Sequence, residues 1–467
     1  MSESEISRRD FLVGTIAAGS CSALKGAISS APVHLPRRLT ICYWGWDWIS
    51  SALPDEPWGN VEQALVQTKE RGFNCVRAEV GLNWMYDLRG KRRGKLKFTN
   101  WIPGYSSNLQ CVDGKGGAVF DIYNRVMELL ELAAKHDMYV ITTSWEYQDS
   151  ISCLDDDRIR EEIVDVPCNS RLMLLAHQYD RFLAEVKSRG LQKQIAFAEL
   201  INEMNSPPIV CSLPGTPNHE TFSNWVEAKT PQPRCDSGRV EDLAYAAVAF
   251  LRQNHPDLLI SVDIGTSSQL EKLAPENVQI ADHHVYADGI TQAFWREVGI
   301  AGIQPGVRPD LASNPVLRSM LKPKIRSWDE MVKRATHVRR TWWPLAWLYT
   351  NLDNEKFDAW CEAHYAECKS RIVASIQAAM KSAQVYAQKH NLPLVVDEGF
   401  ILYPPLHSKF VTTRAGRWGE EQGVNAAIET GHWGIMISGY FRPNTPPWHD
   451  DQQCDWARDL NNRILRS

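Results

Sequence analysis

The 467-residue chain lacks strong charge of either sign, with a formal net charge of −5. It therefore lacks the basic face with which nucleic-acid binders meet phosphates. It has no apolar run long enough to cross a bilayer: its N-terminal apolar stretch, 11–24, is short and broken by Gly and Ser. No Gly-x-Gly-x-x-Gly turn follows the first strand candidate, which argues against a dinucleotide-binding open sheet. The 11 cysteines form no tight framework, so most are expected to be buried thiols, with one or two loop bridges. Cys361, His364 and Cys368 have the spacing of one helix face, but three ligands without a fourth fit a packed face better than zinc. Internal repeats and low-complexity linkers are also missing.

What is present is ordinary in bulk and specific in pattern. Hydrophobic residues make up 44% and charged residues 23%, as in soluble globular proteins with a large core. Two apolar runs end on a glutamate. Residues 195–201 lead into Asn202-Glu203, and residues 392–396 lead into Asp397-Glu398-Gly399. Continuous apolar runs of this length read as buried parallel strands. Six more candidates lie at 39–44, 73–78, 138–143, 258–263, 278–284 and 432–439. Helical periodicity predicts helices over 60–71, 119–136, 171–189, 240–255 and 357–389. Eight strands, most separated by helices, predict an α/β fold closed as a (β/α)8 TIM barrel. The expected organisation is a leader and short linker over 1–33 and one barrel domain over 34–467. An insertion at about 287–356 reads as a lid or groove wall, since long loops in compact domains are seldom idle.

The leader carries an address. Ser7-Arg8-Arg9-Asp10-Phe11-Leu12 resembles the twin-arginine export signature, with cleavage expected between Ala27 and His34. The resemblance implies a periplasmic or extracellular protein with no integral membrane span after cleavage. Lipidation at Cys21 is not expected. The 18 Trp, many in loop-like segments, are either core or flat platforms for sugar rings.

In a (β/α)8 barrel the strand C-termini line the active site, and two carboxylates from different strands are what glycoside hydrolysis requires. The pattern resembles the retaining glycoside hydrolases of the cellulase and β-mannanase clan. In that clan an Asn-Glu pair ends strand four and a second Glu ends strand seven. The resemblance implies Glu203 as acid/base and Glu398 as nucleophile. Arg77 is then the support of the nucleophile, Asn202 the donor to the substrate 2-hydroxyl, and His284-Val285-Tyr286 the His-x-Tyr element whose tyrosine bonds the nucleophile. Trp46, Trp145, Trp433 and Trp448 are candidate sugar platforms. Three departures place cellulose or mannan specifically in question. Met204-Asn205 follows the Asn-Glu pair where the clan has Pro. Gly439-Tyr440-Phe441 stands where it has Trp, and Ser144-Trp145-Glu146-Tyr147 where it often has His. The expected partner is a β-linked poly- or oligosaccharide, acted on by a monomer without metal or cofactor.

Two other readings are compatible with the residues. One is a metal-dependent barrel hydrolase built on Asp282, His283 and His284, with Asp263 and Glu398 as further ligands. Such barrels usually carry His-x-His after strand one, where this chain has Trp44-Gly45-Trp46-Asp47. The other is a non-catalytic carbohydrate-binding barrel. Glu79 and Glu146 are the carboxylates that a one-strand miscount would bring into the site.

Overall fold

The computed structural model describes residues 34–98, 115–145, 166–204, 240–287, 289–301, 308–311, 313–330, 343–401 and 404–467, with a few more between 154 and 162. Eight parallel strands alternate with helices: β1 (Leu39–Gly45), β2 (Cys75–Glu79), β3 (Tyr139–Thr143), β4 (Ile195–Glu199), β5 (Ile260–Ser261), β6 (Ala281–Tyr286), β7 (Leu394–Phe400) and β8 (Gly434–Met436). Their order across the sheet is β5-β4-β3-β2-β1-β8-β7-β6. The two ends meet through a parallel bridge between Ile264 and His283 and through Gln279 N–H, which donates to Ile260 O at 3.0 Å. The chain is thus a (β/α)8 TIM barrel, and its strands are buried on both faces, as the continuous apolar runs require.

Helices α1 (Val61–Glu70), α2 (Ile122–Lys135), α3 (Cys168–Ser188), α4 (Val240–Asn254), α5 (Asn354–His390), α6 (Arg414–Glu429) and α7 (Asp451–Arg466) surround it. Side-chain oxygens at their starts take orphan backbone N–H groups. Asn60 caps α1, Asp121 caps α2, Asp353 caps α5 and Thr413 caps α6. Lys95–Phe98 pairs antiparallel with Ala118–Asp121 beside the barrel sheet. The segment read as irregular, 287–356, contains helices Ile290–Glu297, Pro315–Met320 and Trp343–Asn351. The first is fixed by Phe294, whose ring lies edge-on to Phe357 at 4.9 Å and to Trp360 at 5.1 Å. Among the described residues no helix is long and apolar enough to cross a membrane.

One irregularity shapes the interior of the barrel. In the β6–β7 ladder, His283 pairs with Val396 and His284 with Glu398, so Asp397 is an extra residue on β7. A bulge of this kind turns two consecutive side chains toward one face. Asp397 and Glu398 both reach into the barrel, where each meets Arg77.

The described tryptophans serve mainly as core. Trp44, Trp48, Trp58, Trp84 and Trp448 are wholly buried, and the Trp44 ring lies 6.1 Å from Trp48 and 5.9 Å from Trp58. Cys361 and Cys368 are buried free thiols on α5, while His364 stacks on Trp360 at 4.3 Å, so that face packs. Cys42, Cys75 and Cys454 are likewise buried free thiols. Cysteines 111, 153, 211 and 235 lie outside the described residues, as does the leader.

Candidate active site

Arg77 stands on β2, the middle of a buried charge cluster. Its Nε and Nη2 form a fork on Glu199 at the end of β4, at 3.0 and 2.9 Å. Nη2 also donates to Asn202 Oδ1 at 2.6 Å, and Nη1 donates to Glu398 Oε1 at 2.7 Å. Asp397 Oδ2 lies 2.6 Å from Nε. The planar guanidinium makes this possible, since its donors lie in one fixed fork. Its carbon sits 4.7 Å from the Trp145 ring centroid. One arginine therefore ties together carboxylates from β4 and β7.

Beyond β4 the chain keeps bonding to its neighbours. Asn202 N–H donates to Ser144 O, and Met204 N–H donates to Asp263 O. Between them Glu203 adopts φ +43°, uncommon for a side chain with a Cβ. Its N–H donates to Asp263 Oδ2 at 2.8 Å, which holds that conformation. Gly265 gives the carboxyl room: a Cβ there would stand 2.7 Å from Glu203 Oε1.

His284 on β6 joins the two halves. Its Nδ1 lies 3.0 Å from Glu203 Oε1 and 3.6 Å from Glu398 Oε2. Its Nε2 lies 3.1 Å from Asp263 Oδ2 and 3.5 Å from Asp397 Oδ1. Burial works against charge on the ring, but Asp263 and Glu398, with hydrogen bonds to Asp397 and Glu203, hold it well above the usual histidine range. Tyr286, two residues on and on the same face, donates its hydroxyl to Glu398 Oε2.

The surrounding carboxyls differ in state. Burial raises Glu199 to about 7 against the opposing pull of Arg77. Burial also drives Asp263 and Asp282 well above their usual range. Asp397 is buried too, yet Arg77 and His284 outweigh that and hold it low. The side chain of Glu203 is 28% exposed and that of Glu398 7%, so Glu203 faces incoming solvent and Glu398 sits deeper.

The structure brings together Arg77, Asn202, Glu203, His284, Tyr286 and Glu398, with Trp145 over Arg77 and Trp46 against Trp145 at 5.4 Å. Two expected platforms are corrected. Trp433 enters β8 at its N-terminal end and donates Nε1–H to Pro36 O, so it belongs to the opposite end of the barrel. Trp448 is wholly buried against Phe73 and Phe441, with Arg71 4.2 Å over its ring. Glu79 is not a site carboxylate: it accepts the backbone N–H groups of Gly81 and Trp145. Glu146 lies outside the described residues. Sequence reasoning missed Glu199, Asp397 and Thr143, whose hydroxyl donates to Glu199 at 2.5 Å. Glu199 could have been found, because it lies two residues past Phe197 on one face of a strand. Asp397 could not, since simple alternation sends it outward.

The metal-ligand set read from the sequence does not assemble. His283 faces away from the barrel interior: its Nε2 is 2.9 Å from His432 and its Nδ1 2.9 Å from Ser267 Oγ. Oxygens of Glu199, Asp282 and Asp397 do lie within 4.8 Å of one another, as do ligand atoms of Asp263, His284 and Asp397. Arg77 already supplies positive charge there, 2.9 Å from Glu199 Oε1 and 2.6 Å from Asp397 Oδ2.

A family model described as cellulase-like, sugar-binding, matches residues 41–465. Among solved structures, a glycoside hydrolase from Parabacteroides distasonis, itself assigned by inference, aligns with a TM-score of 0.61 at 17% identity over 93% of this chain and 94% of that one. A family 5 mannosidase from Rhizomucor miehei aligns at 0.44 and 11% identity, over 94% and 98%. A broad-specificity endoglucanase from Clostridium acetobutylicum aligns at 0.42 and 14%, over 92% and 97%. The first of these likenesses supports the fold. No curated protein sequence matches.

Proposed function

Because the chain belongs to the sugar-binding cellulase-like family and is a glycoside hydrolase, we propose that it cleaves β-linked poly- or oligosaccharides by retaining double displacement. The observation that carries the proposal is the closeness of its two strand-end carboxyls. Ligand atoms of Glu203, His284 and Glu398 lie within 4.8 Å of one another. Retaining enzymes hold their carboxyls about 5–5.5 Å apart, whereas inverting ones leave about 6.5–9.5 Å for a water.

Glu398 attacks the anomeric carbon while Glu203 protonates the departing glycosidic oxygen. Water then enters from the more exposed Glu203 side, gives its proton to Glu203 and releases Glu398. Arg77 and Tyr286 fix one oxygen each of Glu398, so its attack direction is set before substrate arrives. Asn202 Oδ1 accepts from Arg77 Nη2, which fixes the orientation of the amide proposed to meet the substrate 2-hydroxyl.

We further propose that the Arg8-Arg9 leader exports the enzyme through the twin-arginine route. Replacing both arginines by lysine should keep the protein in the cytoplasm, read by fractionation; continued export contradicts the assignment. A glycan panel with reducing-end detection, run beside Glu203→Ala and Glu398→Gln, tests the chemistry. Both variants should lose at least about 10³-fold in kcat on the same substrate, as carboxylates in bond-breaking roles do. Near-normal turnover by Glu398→Gln would remove it as nucleophile.

A further inference from the structure

Counting the catalytic pair, the described residues at this end of the barrel hold six buried or part-buried carboxyls, Glu199, Glu203, Asp263, Asp282, Asp397 and Glu398, against two basic groups, Arg77 and His284. A buried interior does not tolerate such an excess of negative charge; some of these groups must be neutral. Asp282 is the one with the fewest supports. It is 1% exposed, and no hydrogen-bond donor among the described residues reaches either of its oxygens. It points into the barrel from β6, one strand from Asp397, and an oxygen of each, with one of Glu199, lies within 4.8 Å of the others. The charged groups facing it are Asp397 on β7, Glu199 on β4, Asp263 after β5 and Arg77 on β2. The cation among these, Arg77, has its donors directed at Glu199, Glu398 and Asn202, with Asp397 Oδ2 2.6 Å from Nε.

We propose that Asp282 is a positioning residue held as the neutral acid, donating its proton to Asp397 and so keeping Asp397 on Arg77 Nε while Nη1 remains on Glu398. The bulge in β7 gives the arrangement its purpose. It turns Asp397 inward beside Glu398, where it competes for the same guanidinium. A proton from Asp282 weakens that competition without removing the contact. Burial pushes the Asp282 carboxyl up and Asp397 is held low, the split expected when two acids share one proton. The role in catalysis rests on the assignment of Glu398 as nucleophile.

The test is infrared difference spectroscopy of the full-length enzyme, wild type minus Asp282→Asn, at neutral pH. A carboxylic-acid C=O band should be present in wild type and missing in the variant. Kinetics supply the second reading. Asp282→Val should lower kcat roughly ten- to a hundred-fold, as misplaced catalytic groups do, with KM little changed. Asp282→Asn, which retains an N–H donor toward Asp397, should recover most of that loss. Absence of the infrared band, or an Asn variant as impaired as Val, overturns the proposal. So does a stoichiometric divalent ion in the wild type that the Asn variant loses. The infrared band does not depend on which carboxylate is the nucleophile. If Glu398→Gln stays active while the band is present, the nucleophile assignment fails and the neutral acid stands.

Discussion

Tyr286 and Arg77 each hold one oxygen of Glu398, and they do so from different strands. Removing one such oriented donor costs roughly 10²–10³ in kcat where charge moves during the reaction. Tyr286→Phe should fall in that range with the thermal midpoint nearly unchanged; a tenfold or smaller loss would mean the hydroxyl only packs. Arg77→Lys should be at least as damaging, because a point charge cannot fork onto Glu199 and still reach Glu398. Gly265→Ala presses a methyl group against the Glu203 carboxyl. It should lower kcat by roughly tenfold or more through misplacement of that group, while far-ultraviolet circular dichroism stays native. Most of these residues were legible beforehand because a strand end fixes where a side chain points. Glu203, Glu398, Arg77, His284 and Tyr286 each follow an apolar run or sit within one. Trp433 and Trp448 were misread because a tryptophan near a strand looks the same in sequence whether it meets sugar or core.

At the level of elements, the barrel strands emerged from apolar continuity, and α1 to α5 from periodicity. Helices α6 and α7 did not. Helix α6 carries Gly416, Gly419 and Gly423, which weaken a helical signal, yet Gly423 is there because the Phe400 ring lies directly against it. The bulge in β7 was equally hidden, since register is a property of two strands and the sequence shows one at a time. Helix α6 also carries Glu420, buried with no cation beside it among the described residues. Its Oε2 accepts Phe400 N–H at 2.9 Å and its Oε1 accepts the Ser438 hydroxyl at 2.8 Å, tying the ends of β7 and β8. Burial pushes this carboxyl from 4.5 to about 7. The fold therefore prefers the protonated form: its stability is full below pH 4.5 and declines as pH rises through about 7. The decline is at most about 3 kcal/mol. Glu420→Gln should flatten it, so the urea midpoints of wild type and variant should diverge between pH 5 and pH 8, the variant gaining. Parallel midpoints would contradict the assignment. Trp448→Ala should cost roughly 3–5 kcal/mol of stability, as large buried truncations do, and leave KM unaltered. A raised KM with normal stability would return that ring to the groove.

For the whole molecule, the barrel brings the carboxyls of Glu203, just past β4, and Glu398, on β7, to one face, with His284 between them and Arg77 on Glu398. The departures that separate this chain from the resemblance, at Met204, Trp145 and Tyr440, all lie at the strand-end rim. Under the proposed mechanism they bear on which sugar is held rather than on the two carboxyls. The retaining assignment is the centre of the account, and the configuration of the first-formed product tests it directly. Proton nuclear magnetic resonance, recorded during the first minutes of hydrolysis of an active β-glycan, should show the β-anomer appearing first and the α-anomer growing later by mutarotation. The α-anomer appearing first would contradict the account.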